Sequence, residues 1–135
     1  MALFNTPAST GLVLLVARLL MAIEFVVFGA LKIPNNASMQ GYMEHHGVPG
    51  VLIWPALILQ LVAGLMVAAG AFTRLAALAL AGFCVVATFL FHLNLSDLGE
   101  VSNLTKDLAT AGGLLLLAVL GGGPLSVDGA LQRKS

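Results

Sequence analysis

Six polar side chains stand where a strongly apolar chain has little use for them, and any chemistry must start there. Glu24 interrupts one long hydrophobic run and Lys32 ends it. Gln60 lies midway along a second run, and His92 closes a third. Lys106 and Asp107 stand together at the front of a fourth. A carboxylate, an imidazole and an ammonium group form a set that can pass a proton near neutral pH and donate to a ligand carbonyl. A charge at mid-bilayer costs about 2.5–3.5 kcal/mol on insertion scales, so ionisable groups inside a membrane tend to mark function.

Each of these residues also has a plainer reading. Glu24 is too short to reach an interface, which leaves a buried structural hydrogen bond or a functional site. Lys106 and Asp107 either enter the membrane partly neutralised by each other or simply begin a helix, with Asp107 favouring its dipole. His92 is an interfacial anchor or a proton donor, and Gln60 is expected to be buried and hydrogen-bonded across helices. Arg18 is a seventh polar residue, read as a structural charge that snorkels or pairs with a backbone carbonyl. His45-His46 is no metal pair, because neighbours diverge by about 100° on a helix and no second pair of zinc spacing exists. Cys84 is expected to be inert packing. The sequence holds no phosphate loop, nucleophile elbow, CxxC or HExxH motif.

The elements that position these groups follow from composition. Of 135 residues, 59% are hydrophobic and 9% charged, against roughly a quarter charged in an ordinary soluble domain. So short a chain could not hide that much apolar surface from water. Four runs reach the roughly 20 residues that a bilayer core demands, at about 11–31, 51–70, 75–93 and 104–121. Helix is the form expected, since each backbone group must find its partner within its own segment. The expected fold is therefore all-α, a transmembrane four-helix bundle with short loops, forming a single domain over 1–135. A short surface helix is expected over Ser38–His46, with Tyr42 and Met43 dipping toward the interface. Small residues, including Gly64, Gly82 and Gly112-Gly113, are expected to let helices approach closely. Met1–Thr10 carries no Lys or Arg, so the first run is read as a retained span and not a cleaved signal.

Orientation follows the basic residues. With both termini cytoplasmic, Arg74, Arg133 and Lys134 lie inside, and Lys32 and Lys106 lie outside. Glu24, Lys32, His92, Lys106 and Asp107 then share the outer half of the bilayer and are expected to converge on a polar-rimmed apolar pocket. The zero net charge and the lack of a basic run exclude a nucleic-acid partner.

The order and spacing of several short motifs resemble the DoxX family of small bacterial and archaeal membrane proteins. They are Arg18 with Gly29-Ala30-Leu31-Lys32, Gly47-Val48-Pro49, and Gly64 with Gly70-Ala71-Phe72-Thr73-Arg74. His92, Lys106-Asp107-Leu108-Ala109, Gly112-Gly113-Leu114 and Gly121-Gly122-Gly123-Pro124-Leu125-Ser126-Val127-Asp128 complete the pattern. One departure matters: where many relatives carry a glutamate in the second span, this chain has Gln60, so a role for that acid would have to pass to Glu24. The family takes its name from a subunit of a quinone-linked oxidoreductase of sulfur-oxidising archaea, and relatives belong to thiosulfate:quinone oxidoreductase. The resemblance implies a multi-pass bacterial inner-membrane protein, a subunit of a redox or respiratory system that binds a quinone beside a redox partner protein. The alternatives are a non-catalytic scaffold that docks soluble redox or stress enzymes, and a transporter or channel, which four spans could form only as a homo-oligomer.

Overall fold

In lipid a backbone amide finds no partner outside its own segment, so each apolar run closes its hydrogen bonds as a helix. The computed structural model describes residues 7–134, and over these residues it is all-α. Helix α1 (Pro7–Lys32) is followed by the short α2 (Asn36–His45). A 3-10 turn, Gly50–Leu52, leads directly into α3 (Ile53–Ala69), and α4 (Thr73–Phe91), α5 (Leu98–Leu120) and α6 (Val127–Lys134) complete the chain. Helices α1, α3 with its leading turn, α4 and α5 are long and apolar enough to cross a membrane. The leader residues Met1–Thr6 lie outside the described residues.

Two boundaries differ from the sequence reading. Helix α5 starts at Leu98 and not near 104, because the Asp97 carboxylate accepts from the Gly99 amide at 2.9 Å and caps the helix. The six added residues lengthen a span whose charge-free part, Leu108–Leu120, is only 13 residues. The polar segment after Leu125 also forms a helix, α6, which the sequence reading does not anticipate.

The bundle is two tight pairs joined on one side. Helix α1 packs along α3 and α4 along α5, while α3 against α4 links the pairs, and the α1 and α5 backbones stand farther apart, bridged by side chains such as Glu24 and Thr110. The shared core includes Phe25, Val67, Leu80, Leu114 and Leu117. Large apolar side chains such as Leu20, Ile58, Phe89 and Val119 face outward, as expected when lipid is the solvent. Gly64 permits the α1–α3 approach, since a Cβ there would stand 3.1 Å from both Phe25 and Val26. Gly82 and Gly112 do not behave as expected: a Cβ on either would meet nothing within 4 Å. Each lies one residue, about 100°, off the buried stripe that runs through Ala77, Leu80, Ala81 and Cys84 in α4 or Ala111, Leu114 and Leu117 in α5.

The tight α3–α4 turn is clamped from both sides by charge. Gly70 ends α3 in the left-handed conformation (φ 74), where a Cβ would collide with Ser126 and with the Arg18 guanidinium. Helix ends leave carbonyls without partners and carry partial negative charge. Arg18, fully buried, donates through Nη1 to the last-turn carbonyls of Val67 (3.3 Å) and Ala68 (3.0 Å), and through Nη2 to Leu125. Across the turn, Asp128 of α6 caps the start of α4. Its carboxylate accepts from the Phe72 and Thr73 amides, both at 2.8 Å, and from the Thr73 hydroxyl at 2.7 Å. That grip holds Phe72 at φ 46, a conformation rare for a residue with a side chain. Burial works against the charge on Asp128. The Thr73 and Phe72 bonds and the Arg18 charge outweigh it and hold the carboxyl below the usual range.

Net neutrality conceals a segregation of charge. Arg18, Arg74, Arg133 and Lys134 share one end of the bundle with Asp128. Lys32 and Lys106 share the other with Glu24, Glu44, Asp97, Glu100 and Asp107. The formal balance is three positive charges at one end and three negative at the other. The start of α1 lies at the basic end, where Gly11 packs against Pro124.

Candidate functional site

At the acidic end the four spans splay enough to enclose a cavity of about 400 Å³. Helical spacing aims the polar groups at it. On α1, Phe25, Phe28 and Lys32 fall on one face, with Glu24 one position away. On α5, Glu100, Asn103, Asp107 and Thr110 form a single stripe at intervals of three and four. Gln60 enters from α3, and His92 from the residue that ends α4. Aromatic and aliphatic side chains make most of the wall, among them Phe83, Leu90 and Phe91, and α2 roofs it with Met39, Tyr42 and Met43.

All six side chains singled out from sequence line this cavity: Glu24, Lys32, Gln60, His92, Lys106 and Asp107. They form two groups. On one wall the Lys32 ammonium donates to the Gln60 carbonyl at 2.8 Å, so the buried amide has a cationic partner. On the other wall a chain of contacts crosses three helices. The Thr110 hydroxyl donates to Glu24 at 2.9 Å, and Glu24 faces Lys106 at 3.5 Å. Lys106 lies 4.0 Å from Asp107, and Asp107 stands 3.6 Å from Nε2 of His92. Nδ1 of His92 meets Glu100 at 2.6 Å, and the Tyr42 hydroxyl donates to Glu100 at 3.1 Å. Burial first, then the Glu100 hydrogen bond and charge, push the Tyr42 phenol up to about 12, so it stays a donor.

Three carboxylates thus face two ammonium groups and one imidazole. The balance is one negative charge with His92 neutral and zero with His92 protonated. Because both ring nitrogens point at carboxylates, the imidazole can take a proton on one side and release it on the other. Lys106 is half exposed and lies 5.1 Å from the centre of the Phe28 ring, where a cation is attracted to the π face. Among the described residues, no group of three or more His, Cys, Asp or Glu side chains could hold a metal ion.

Sequence reasoning missed Glu100, Tyr42 and Thr110. A signal for Glu100 existed, since an Asp three residues before a Glu marks a helix start and places Glu100 in the first turn of α5. Arg18 lies in the opposite half of the bundle, its two Nη atoms donating to backbone carbonyls while its buried Nε has no partner among the described residues, and it takes no part in the cavity. Cys84 is buried packing that also contributes to the cavity wall.

Comparison with known proteins fits this architecture. The DoxX family pattern matches residues 13–93, which carry Glu24, Lys32, Gln60 and His92, while Glu100, Lys106 and Asp107 lie beyond it. The chain is 42% identical over 120 residues to the inner membrane protein YqjF of Escherichia coli strain K12, covering 89% of this chain and 92% of that protein. It is 26% identical over 132 residues to the inner membrane protein YphA of the same strain, covering 93% and 94%. No solved structure matches the chain. With four membrane-spanning helices, a family match over more than half its length and a relative aligned nearly end to end, this multi-pass integral membrane protein belongs to the DoxX family.

Proposed function

We propose that the protein binds a quinone or a similar lipid-soluble carbonyl compound in the acidic-end cavity, as a membrane subunit of a redox system in the inner membrane. One observation carries the reading: an apolar, aromatic-walled cavity between the spanning helices onto which two ammonium groups, an imidazole and two carboxylates converge, with Glu100 held against the imidazole from behind. Its volume falls in the range of small-molecule sites, which pair apolar walls with a few placed polar groups. Lys32 and Lys106 supply donors for ligand carbonyls, and His92 between Glu100 and Asp107 supplies a route for a proton. The charge segregation favours cytoplasmic termini, because basic residues concentrate on the cytoplasmic side. A reporter fused after Ser135 that is active only in the periplasm would reverse that orientation.

The test is quinone content in lipid extracts of the purified protein, together with titration of a short-chain quinone in detergent. The wild type is expected to carry quinone above a detergent blank and to bind the analogue. Glu24→Gln and His92→Ala are expected to weaken both while leaving the fold intact. Wild-type protein that neither carries quinone nor binds the analogue would sink the reading and favour the scaffold alternative. Variants that bind like the wild type would make the cluster structural.

A further inference from the structure

The basic end carries a second, wholly different cavity. A broad crevice of about 1180 Å³ opens there between the start of α4, the end of α5 and α6. Its chemistry is mixed in an unusual way. Arg74 and Arg133 line it together with Phe72, Leu75, Leu120 and Leu131, four large apolar side chains each more than half exposed. In water such a surface would be a liability. At the end of three spanning helices it lies level with the headgroups, where arginine and apolar side chains have natural neighbours.

The two arginines are held in place and not consumed. Arg74 donates through Nη1 to the carbonyls of Ala118 and Val119, at the end of α5. Arg133 donates through Nη1 to the Pro124 carbonyl at 2.8 Å. Each fork therefore still offers Nε and Nη2 donors. Among the described residues neither arginine is paired with a carboxylate. The crevice's one acid, Asp128, has its oxygens occupied by Phe72 and Thr73. Lys134 adds a further cation beside Arg133. The excess of three positive charges at this end is balanced only at the opposite end of the bundle.

We propose that this crevice is a binding site for an anionic phospholipid. Its phosphate lies between the Arg74 and Arg133 forks, and its acyl chains run over Phe72, Leu75, Leu120 and Leu131. The planar guanidinium suits phosphate oxygens because it donates two parallel hydrogen bonds. The apolar rim separates a lipid from a free phosphate ion, which would gain nothing from those four side chains. The site is independent of the acidic-end cavity, and its α6 wall is fixed by the Asp128 cap.

The experiment compares phosphatidylglycerol with phosphatidylcholine on the full-length protein in detergent, by retained lipid in native mass spectrometry and by thermal stabilisation on lipid addition. The wild type is expected to prefer phosphatidylglycerol. Arg133→Gln combined with Lys134→Gln, both exposed positions, is expected to cut the preference about thirtyfold, as removal of two basic residues near an anionic headgroup should. Arg74→Lys keeps charge but loses the fork and is expected to fall between the two. Equal retention of both lipids by the wild type overturns the site, and so does a preference untouched by the double variant. Displacement of the lipid by millimolar inorganic phosphate would reassign the crevice to a soluble anion and overturn the lipid proposal.

Discussion

At the basic end a single guanidinium is wholly buried and spends its charge on three backbone carbonyls, whereas at the acidic end four charged side chains and a histidine line one cavity. Both arrangements solve the problem of charge in lipid, but only the second leaves the charges free to act. A guanidinium locked onto helix-end carbonyls cannot exchange a proton or meet a ligand without opening the fold. The side chains around the cavity are held at 2.6 to 4.0 Å by one another, and a ligand can replace any of those partners. A buried charge is a candidate for function when its partners are themselves replaceable.

That contrast is open to mutation. The largest effect is expected at Arg18. Replacement by Met removes the side-chain donor from the carbonyls of Ala68 and Leu125 and leaves Val67 only its bond from the Gly70 amide, and an unsatisfied buried polar group costs about 1–3 kcal/mol. The melting temperature in detergent should therefore drop steeply, with little folded protein recovered. An Arg18→Met protein as stable as the wild type would show that the cradle is incidental.

A smaller loss is expected for Asp128→Asn, about 1 kcal/mol for a helix cap, and it has a pH signature. The folded carboxyl lies below its ordinary value of about 3.9. Its stabilisation is therefore complete above that value and fades as the pH falls through the lower folded value. The gap in stability between wild type and Asp128→Asn should be widest at neutral pH and close on acidification below about pH 4. A gap that widens on acidification would mean that the cap does not depend on ionised Asp128.

Gln60→Leu is expected to have the smallest effect, roughly 0.6 kcal/mol, the average for such contacts in membranes. The Lys32 partner now makes the outcome sharper than sequence alone allowed. Combining Gln60→Leu with Lys32→Met should cost less than the sum of the two, because the double variant leaves no stranded ammonium. Strict additivity would mean that the 2.8 Å contact contributes nothing.

The spans and the polar residues within them were legible because lipid makes each such residue conspicuous. Five side chains from three spans could be assigned to one half of the bilayer by counting spans alone. What stayed hidden depends on local capping and on contacts distant in sequence. Glu100 lies before the apolar part of α5, so a search for apolar runs passes over it, although Asp97 marks the helix start. Asp128 sits in a polar tail whose helix exists to cap α4, 55 residues earlier, and no local pattern announces that. Gly82 and Gly112 show the reverse error, since small size permits close approach but only the buried stripe decides which glycines use it.

The Arg18 cradle also bears on how the molecule is made. Arg18 enters the membrane with the first span, its Val67 acceptor follows 49 residues later, and its Leu125 acceptor lies 107 residues downstream. Between those moments α1 carries a costly charge that the nascent chain cannot yet satisfy. The charge of the first span is met in two stages, through Nη1 when the third helix arrives and through Nη2 only when the chain has passed Leu125. A chain that stops before Leu125 keeps the first contact and lacks the second, so the beginning and the end of the sequence are tied by a single buried guanidinium.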